Sequence, residues 1–144
     1  MTAEFLAGIA ASDGIAIAPA YLLTEPDLSF EKKTISDSGA EILRFEEAVK
    51  QAHQEISLIK KRAEESLGSE EAQVFEAHLM FLDDPEFIGQ IKQVITDQLI
   101  NAEAALDQIA QMFITMFSAM EDNPYMQERA ADIKDVSERM MAIL

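Results

Sequence analysis

Two histidines, His53 and His78, are the first candidates for phosphoryl-transfer or metal chemistry in this 144-residue chain. The chain has no cysteine, so it can form neither a disulfide nor a thiolate metal site. A di-iron site in a helical bundle needs Glu-x-x-His, because ligands three residues apart share a helix face. Lys50 and Phe75 stand three residues before the two histidines, so that motif is absent.

The surroundings of the two histidines favour structural roles. His53 lies beside the apolar stripe of a predicted helix, which favours a surface or boundary position. His78 lies between Ala77 and Leu79, which favours a hydrogen-bonded boundary histidine. A place for His78 at a partner interface is the alternative. We predict neither histidine as a phosphoryl acceptor.

The glycines do not form a phosphate-binding loop. Gly8 and Gly14 are not followed by Lys and Ser or Thr, and the sequence contains no Gly-x-Gly-x-x-Gly. The acidic spacing of an EF-hand calcium loop is missing as well.

Carboxylates and aromatic side chains are mixed in the middle of the chain. The cluster comprises Glu70, Glu71, Glu76, Asp83, Asp84 and Glu86. Spacing alone favours a solvated helix face. However, the run Leu79–Leu82 is apolar at every position, and at about 100° per residue it surrounds the helix, so at least one large side chain faces outward. We therefore predict that Phe81 or Phe87 is exposed among carboxylates, as a docking patch for a basic, partly apolar surface.

Methionines and paired charges mark the second half of the chain. Six methionines are predicted as gap-filling core residues: Met112, Met116, Met120, Met126, Met140 and Met141. Met126 is the candidate exception, because it adjoins Tyr125 at a predicted helix start. Arg129 and Asp132 are three residues apart and are predicted to form an exposed pair on a helix.

The charge of the chain restricts its partners. It has 27 acidic and 11 basic side chains and a formal net charge of −16. This field repels nucleic acid and anionic membranes, and it attracts a basic protein surface. No apolar run approaches the ~20 residues that span a bilayer, and the first residues do not resemble a secretory signal. We expect a cytoplasmic location.

The first third of the chain has a β-type pattern. Apolar runs at residues 5–10 and 15–24 flank Asp13-Gly14, which is a turn signal. We predict two short strands there, followed by a loop. Two strands alone are marginal in water and need partners that this chain does not visibly supply.

From Ser36 onward the apolar period is helical. A capping box of Ser38 and Glu41 starts a long helix over about 37–67, which Gly68 ends. The further helix starts are predicted at Ser69, Asp84-Pro85, Asn101 and Asn123-Pro124. Short turns between neighbouring helices predict an antiparallel helical bundle.

Three segments resemble one known family. Residues 8–16, 75–84 and 128–136 resemble, in order and spacing, segments of enzyme I of the bacterial phosphotransferase system. The resemblance implies a helical subdomain inserted into an α/β subdomain. Residues 1–33 then belong to an incomplete phosphohistidine α/β subdomain, and residues 34–144 form the helical subdomain that binds the phosphocarrier protein HPr.

The resemblance also implies an activity. In this family phosphoenolpyruvate, with magnesium in a C-terminal barrel domain, phosphorylates a histidine in a Gly-Gly-x-Thr-Ser-His motif, and this histidine passes the group to HPr. The motif does not occur here. We therefore expect a binding function, with no catalytic residue, metal or cofactor in this chain, and homodimerisation of the parent enzyme through its C-terminal domain.

Ten positions are implied by the resemblance as HPr contacts. They are Glu70, His78, Phe81, Asp84, Glu86, Phe87, Phe117, Tyr125, Met126 and Arg129. Phe81 and Phe87 stand where many relatives have leucine, and Pro85 replaces a common acidic residue. Two alternatives remain open at this point: the chain accepts phosphate at His53 or His78, or it is a generic helical scaffold or oligomerisation domain.

Overall fold

The computed structural model describes residues 2–144, and its architecture is a bundle of five α-helices. They are α1 (Ser38–Ser66), α2 (Gln73–Leu82), α3 (Pro85–Gln98), α4 (Ala102–Ser118) and α5 (Pro124–Ile143). The predicted helical bundle is confirmed. Within the described residues, no helix combines the length and apolar character needed to cross a membrane.

Local capping chemistry explains where α1 begins and ends. Asp37 is the N-cap, and its Oδ1 accepts a hydrogen bond from the Ala40 N–H at 3.0 Å. The predicted capping box is therefore wrong, because the Glu41 carboxylate binds Arg44 and the Ala102 N–H. Gly68 follows the C-cap with φ +112°, a left-handed conformation that glycine adopts without strain, as predicted.

The next helix starts only partly follow the prediction. α2 begins at Gln73, because residues 69–72 form a turn, so the predicted start at Ser69 is wrong. Asp84 caps α3 by accepting a hydrogen bond from the Glu86 N–H at 2.8 Å, and Pro85 is the first helical residue. Asn123 caps α5 in the same way through the Met126 N–H. These two starts are confirmed.

The core contains side chains from all five helices. The largest fully buried ones are Phe45, Ile56, Phe87, Ile91, Ile95, Leu106, Ile133, Val136 and Met140. Four aromatic rings form a chain of edge-to-face contacts from α2 to the end of α4. The centroid distances are 6.3 Å for Phe81–Phe87, 5.5 Å for Phe87–Phe113 and 5.9 Å for Phe113–Phe117. These four rings connect the core with the protein surface at the end of α4.

The first part of the chain differs from the prediction. Residues 5–10 and 15–24 form no strand, and their apolar side chains, including Ile9 and Ile17, are almost fully exposed. Two short apolar segments are not stable as an isolated pair of strands, because they need a wider sheet or a helix to bury their apolar side chains. The chain does bend at residues 12–14, where Gly14 has φ +109°.

The chain joins the bundle at residues 31–35. Thr34 and Ile100 form an isolated antiparallel bridge, and the Ile35 N–H donates to the Leu99 carbonyl at 2.9 Å. Leu99 ends α3 in the left-handed region, at φ 50°. Asn101 occupies the N-cap position of α4 as predicted, but its side chain binds Lys33 instead of capping the helix.

Candidate docking site

A shallow groove of about 420 Å³ lies where α2, the end of α4 and the start of α5 meet. Its lining residues are Met80, Phe81, Asp84, Phe117, Tyr125, Met126 and Arg129. Six of these seven were predicted as contact residues from three separate stretches of sequence. The fold therefore brings them together on one surface.

The floor of the groove corrects the predicted orientation of the aromatic residues. Phe81 is 8% exposed and Phe87 is 0% exposed, so the prediction that one of them faces outward is wrong. The outward side chain of the apolar run is Met80, which is 61% exposed. Phe81 packs edge-on against Phe87 because α2 contacts α1, α3 and α5, and it lines the groove only from below.

Met80 is the lining residue that the sequence analysis missed. The available signal was the last turn of α2, Leu79–Leu82, which is apolar at every position and so must leave one apolar side chain in solvent. That rule is confirmed by Met80, but it does not say which side chain is left out.

One wall of the groove consists of Tyr125 and Arg129 from the first turns of α5. The guanidinium carbon of Arg129 lies 4.8 Å from the centroid of the Tyr125 ring, which is a cation–π contact. Its Nη1 lies 3.6 Å from Asp132 Oδ2, while its Nε is buried without a hydrogen-bond partner. Of the seven lining residues, Arg129 is the one with a positive charge. The wall therefore presents a planar cation held in a fixed orientation.

His78 lies behind this wall. It is buried, not at a boundary, and its Nε2 makes no hydrogen bond although Asp132 Oδ1 is 3.5 Å away and Asp135 Oδ2 is 4.0 Å away. The predicted boundary position of His78 is therefore wrong, and its Nε2 lacks the predicted hydrogen bond. Because Nε2 has almost no solvent-accessible surface, a phosphoryl donor does not reach it in this conformation.

Asp132 connects His78 and Arg129. Burial raises the pKa of its carboxyl above the ordinary value, and the nearby His78 and Arg129 act in the opposite direction. The side chains of Asp132 and Arg129 are only 13% and 22% exposed, so the predicted exposed pair is wrong. The pair is part of the packed support of the groove.

The remaining predicted contact residues lie outside the groove lining. Glu86 is exposed in the first turn of α3. Glu70 is exposed in the turn before α2. Phe87 is a core residue.

The methionines that were predicted as core residues differ in their exposure. Met140 is fully buried, as predicted. Met112 and Met116 of α4 are exposed, as is Met120 two residues after its end, so their predicted core positions are wrong. Met126 lines the groove, in agreement with its treatment as the exception.

His53 forms a second polar cluster on another face. Its Nε2 lies 3.4 Å from Asp83 Oδ2, and its Nδ1 lies 3.4 Å from Ser57 Oγ. The residue types match a hydrolytic triad. Ser57, however, lies inside α1, where the backbone N–H groups are bonded within the helix and cannot form an oxyanion hole. His53 is partly exposed, as predicted, and we assign this cluster no catalysis.

Among residues 2–144, no three or more His, Cys, Asp or Glu side chains converge in an arrangement that holds a metal ion. The groove combines an apolar floor, the carboxylate of Asp84 and the oriented guanidinium of Arg129.

Comparison with known proteins agrees with this architecture. Residues 7–129 match the family described as PEP-utilising enzyme, N-terminal. The phosphoenolpyruvate-protein phosphotransferase of Enterococcus faecalis is 57% identical over 141 residues, which are 98% of this chain and 24% of that protein. The protein of the same name from Listeria monocytogenes is 53% identical over 142 residues, which are 99% of this chain and 25% of that protein.

Two solved structures share the fold. A solution structure of an enzyme I (nEIt) superposes with a TM-score of 0.77 at 29% identity, covering 82% of this chain and 48% of that chain. The N-terminal domain of an enzyme I described as "Nitrogen" gives 0.74 at 25% identity, covering 83% and 50%. The chain thus spans about a quarter of the length of the curated relatives that it matches.

Proposed function

The chain belongs to the family of PEP-utilising enzymes, N-terminal, and from this premise we propose that it is the part of enzyme I that docks the phosphocarrier protein HPr. The relatives carry the name phosphoenolpyruvate-protein phosphotransferase. In the proposed reaction, phosphoenolpyruvate phosphorylates a histidine of the parent enzyme, and that histidine passes the group to a histidine of HPr during sugar uptake.

The observation that carries the proposal is the groove between α2, α4 and α5. The groove has an apolar floor and carries Asp84 on its edge. The chain as a whole has a formal net charge of −16. Apolar anchors contribute affinity, while opposite charge orients the partner and speeds its encounter. A basic protein with an apolar patch is the partner that fits both properties.

Docking supplies position, while the bond-making chemistry takes place elsewhere. Phosphoryl transfer between two imidazoles needs in-line geometry, and holding both reactants converts a bimolecular encounter into a positioned one. The motif Gly-Gly-x-Thr-Ser-His is absent from these residues, and His78 is enclosed. We therefore assign binding to this chain, and place the phosphohistidine, phosphoenolpyruvate and magnesium in other parts of the parent enzyme.

The proposal divides the chain into two functional parts. Residues 34–144 are the docking subdomain, and residues 1–33 belong to the α/β subdomain that carries the phosphohistidine. The reaction is proposed to occur in the cytoplasm, where HPr and phosphoenolpyruvate are present. Pairing of parent enzymes is assigned to their C-terminal domain.

A titration of the isotope-labelled chain with purified HPr tests this function. We expect saturable binding with NMR shift changes centred on Met80, Phe117 and Tyr125. Met80→Lys places a positive charge where a basic partner docks and weakens binding by about tenfold or more. Leu58→Lys, at an equally exposed leucine of α1 outside the groove, is the matched control and retains affinity. The absence of saturable binding at millimolar HPr, or shift changes centred away from the groove, contradicts the proposal.

A further inference from the structure

Met80 lines the docking groove, and three further exposed methionines lie in α4 or directly after it. Met80, Met112, Met116 and Met120 have 61%, 46%, 45% and 41% of their surfaces exposed, whereas Met140 is fully buried. Methionine ordinarily fills core gaps, and exposed methionines are characteristic of adaptable binding surfaces. Four accessible thioethers on one small domain are therefore a chemical feature that needs its own explanation.

Met112 and Met116 are four residues apart and so lie one turn apart on the surface of α4. Met120 follows four residues later, two residues after the end of the helix. Met120 is one turn beyond Phe117, which lines the groove. Gln111 and Ile114 face a different depression against α5 on the opposite flank of α4. The three methionines do not line that depression, and all three are exposed on or just after the last part of α4. We call Met80, Met112, Met116 and Met120 the methionine surface.

We propose that the methionine surface is a site of reversible oxidation by peroxide, and that its oxidation weakens docking of the basic partner. The inference rests on the docking function proposed above. In each step a peroxide O–O bond breaks and one oxygen atom forms a bond to the thioether sulfur. The sulfur loses two electrons, the peroxide is reduced to water, and the product is methionine sulfoxide.

The composition of the surface explains why the sulfoxide opposes docking. A sulfoxide oxygen is a hydrogen-bond acceptor, and the neighbouring ionised carboxylate of Asp84 is an acceptor as well. Arg129 is the cationic donor of the groove, but it is held against Tyr125 and Asp132. Docking therefore buries the new polar oxygen against the apolar part of the partner, which costs desolvation free energy. Met140 is enclosed in the core and should react last.

Mild treatment of the folded chain with hydrogen peroxide, followed by peptide mass spectrometry, tests the chemical part. We expect sulfoxide at the methionine surface well before Met140. Affinity for HPr should then fall by about tenfold or more, because an unpaired polar group is buried at the interface. Treatment with methionine sulfoxide reductases A and B together should restore it, since each enzyme reduces one epimer.

Variants of the methionines distinguish a direct effect of oxidation on docking from an effect on the fold. Replacing Met112, Met116 and Met120, which do not line the groove, by leucine should preserve binding and reduce its sensitivity to peroxide. The matched variant Met141→Leu, at the other end of the bundle, should remain sensitive. Replacing Met112, Met116 and Met120 by glutamine should reproduce the weakened binding without any oxidant, with unchanged helicity.

The outcomes separate the two proposals. If untreated protein does not bind HPr, both the docking function and this inference are wrong. If untreated protein binds HPr and oxidation of the methionine surface leaves the affinity unchanged, the docking function stands and the inference is overturned. Oxidation of Met140 before the exposed methionines also overturns it.

Discussion

Asn101 and Lys33 are joined by two hydrogen bonds across the end of the bundle. The Lys33 N–H donates to Asn101 Oδ1 at 2.9 Å, and the Asn101 N–H donates to the Lys33 carbonyl at 3.0 Å. Asn101 Nδ2 also donates to the Glu31 carbonyl at 3.0 Å. We predict that Asn101→Ala lowers the free energy of unfolding by about 1–3 kcal/mol, because buried backbone groups lose their partner. Urea denaturation measures this change.

Hydrogen exchange shows whether the loss is local. In Asn101→Ala the Lys33 amide should exchange faster, while amides in the middle of α1 should not. Asn101→Asp keeps the acceptor for the Lys33 N–H, but it removes the donors to the Glu31 carbonyl and to Glu103 Oε2 and sets two carboxylates side by side, so it should also destabilise the protein. Protection of the Lys33 amide that persists in the alanine variant would show that this contact does not hold the segment.

The roles of Asn101 and Phe81 mark the limit of sequence-based prediction here. The starts of α3 and α5 were predicted because Asp84-Pro85 and Asn123-Pro124 act within one helical turn. The side-chain partners of Asn101 are 68 and 70 residues away, and no local pattern reports them. The position of Asn101 at the N-cap was predicted, but its function was not.

The site shows the same division between local and tertiary information. Six of the groove residues could be named from the resemblance to enzyme I, because a resemblance assigns roles to matching positions of the sequence. The orientation of the side chains was not predicted, since the last turn of α2 is apolar at every position. The packing of α2 against three helices determines that Phe81 is buried and Met80 is exposed. The predicted strands failed for a related reason, because β-pairing depends on segments distant in sequence.

The carboxyl group of Glu41 makes the stability of the bundle sensitive to acid. Arg44 Nη2 lies 2.6 Å from its Oε1, and the hydrogen bond from Arg44, helped by the Ala102 N–H, lowers the pKa of Glu41 despite partial burial. A carboxyl with a lower pKa in the folded state contributes stability above its unfolded value, near 4.5. That contribution is lost as the pH falls through the folded value.

Glu41→Gln tests this dependence. We expect it to cost about 1–2 kcal/mol at neutral pH and to remove part of the decrease in unfolding free energy between about pH 5 and pH 3. Urea denaturation across this range measures both effects. Glu47→Gln, at an exposed carboxylate of the same helix, should change stability by less than about 0.5 kcal/mol. An unaltered pH profile in Glu41→Gln contradicts the assignment.

Phe81 supports the groove through the core. Since Phe81 is buried against Phe87, Phe81→Ala should lower the unfolding free energy by about 3–5 kcal/mol. Any weaker docking would then reflect a damaged fold. Phe81→Leu should retain the fold and the docking, whereas Met80→Ala should weaken docking with a stability change within about 0.5 kcal/mol. Thermal unfolding paired with HPr titration distinguishes these effects, and a fully stable Phe81→Ala protein would contradict the buried position.

Arg129 and Asp132 should be coupled in stability, because each side chain is largely enclosed and the two lie 3.6 Å apart. Arg129→Met removes the cation and leaves the Asp132 carboxylate enclosed without it, which should cost about 1–3 kcal/mol at pH 7. Asp132→Asn in the same protein should recover much of that loss, since the amide carries no charge. A double-mutant cycle measured by urea denaturation gives the coupling, and strict additivity of the two changes contradicts it.

The pH dependence of the Arg129→Met protein gives a second test of that coupling. Burial already raises the pKa of Asp132, and removal of the Arg129 cation should raise it further. A carboxyl whose folded-state pKa is raised favours the folded state below that pKa and loses this contribution as the pH rises through it. The loss of unfolding free energy in Arg129→Met relative to the unmodified protein should therefore shrink as the pH falls from 7 to about 4.

The Asp132→Asn background is the control, because it has no carboxyl to protonate at this position. There the same substitution should cause a loss of unfolding free energy that varies much less with pH. A deficit that stays constant in both backgrounds would mean that Arg129 supports the groove wall through its packing on Tyr125, and that its charge makes no contribution.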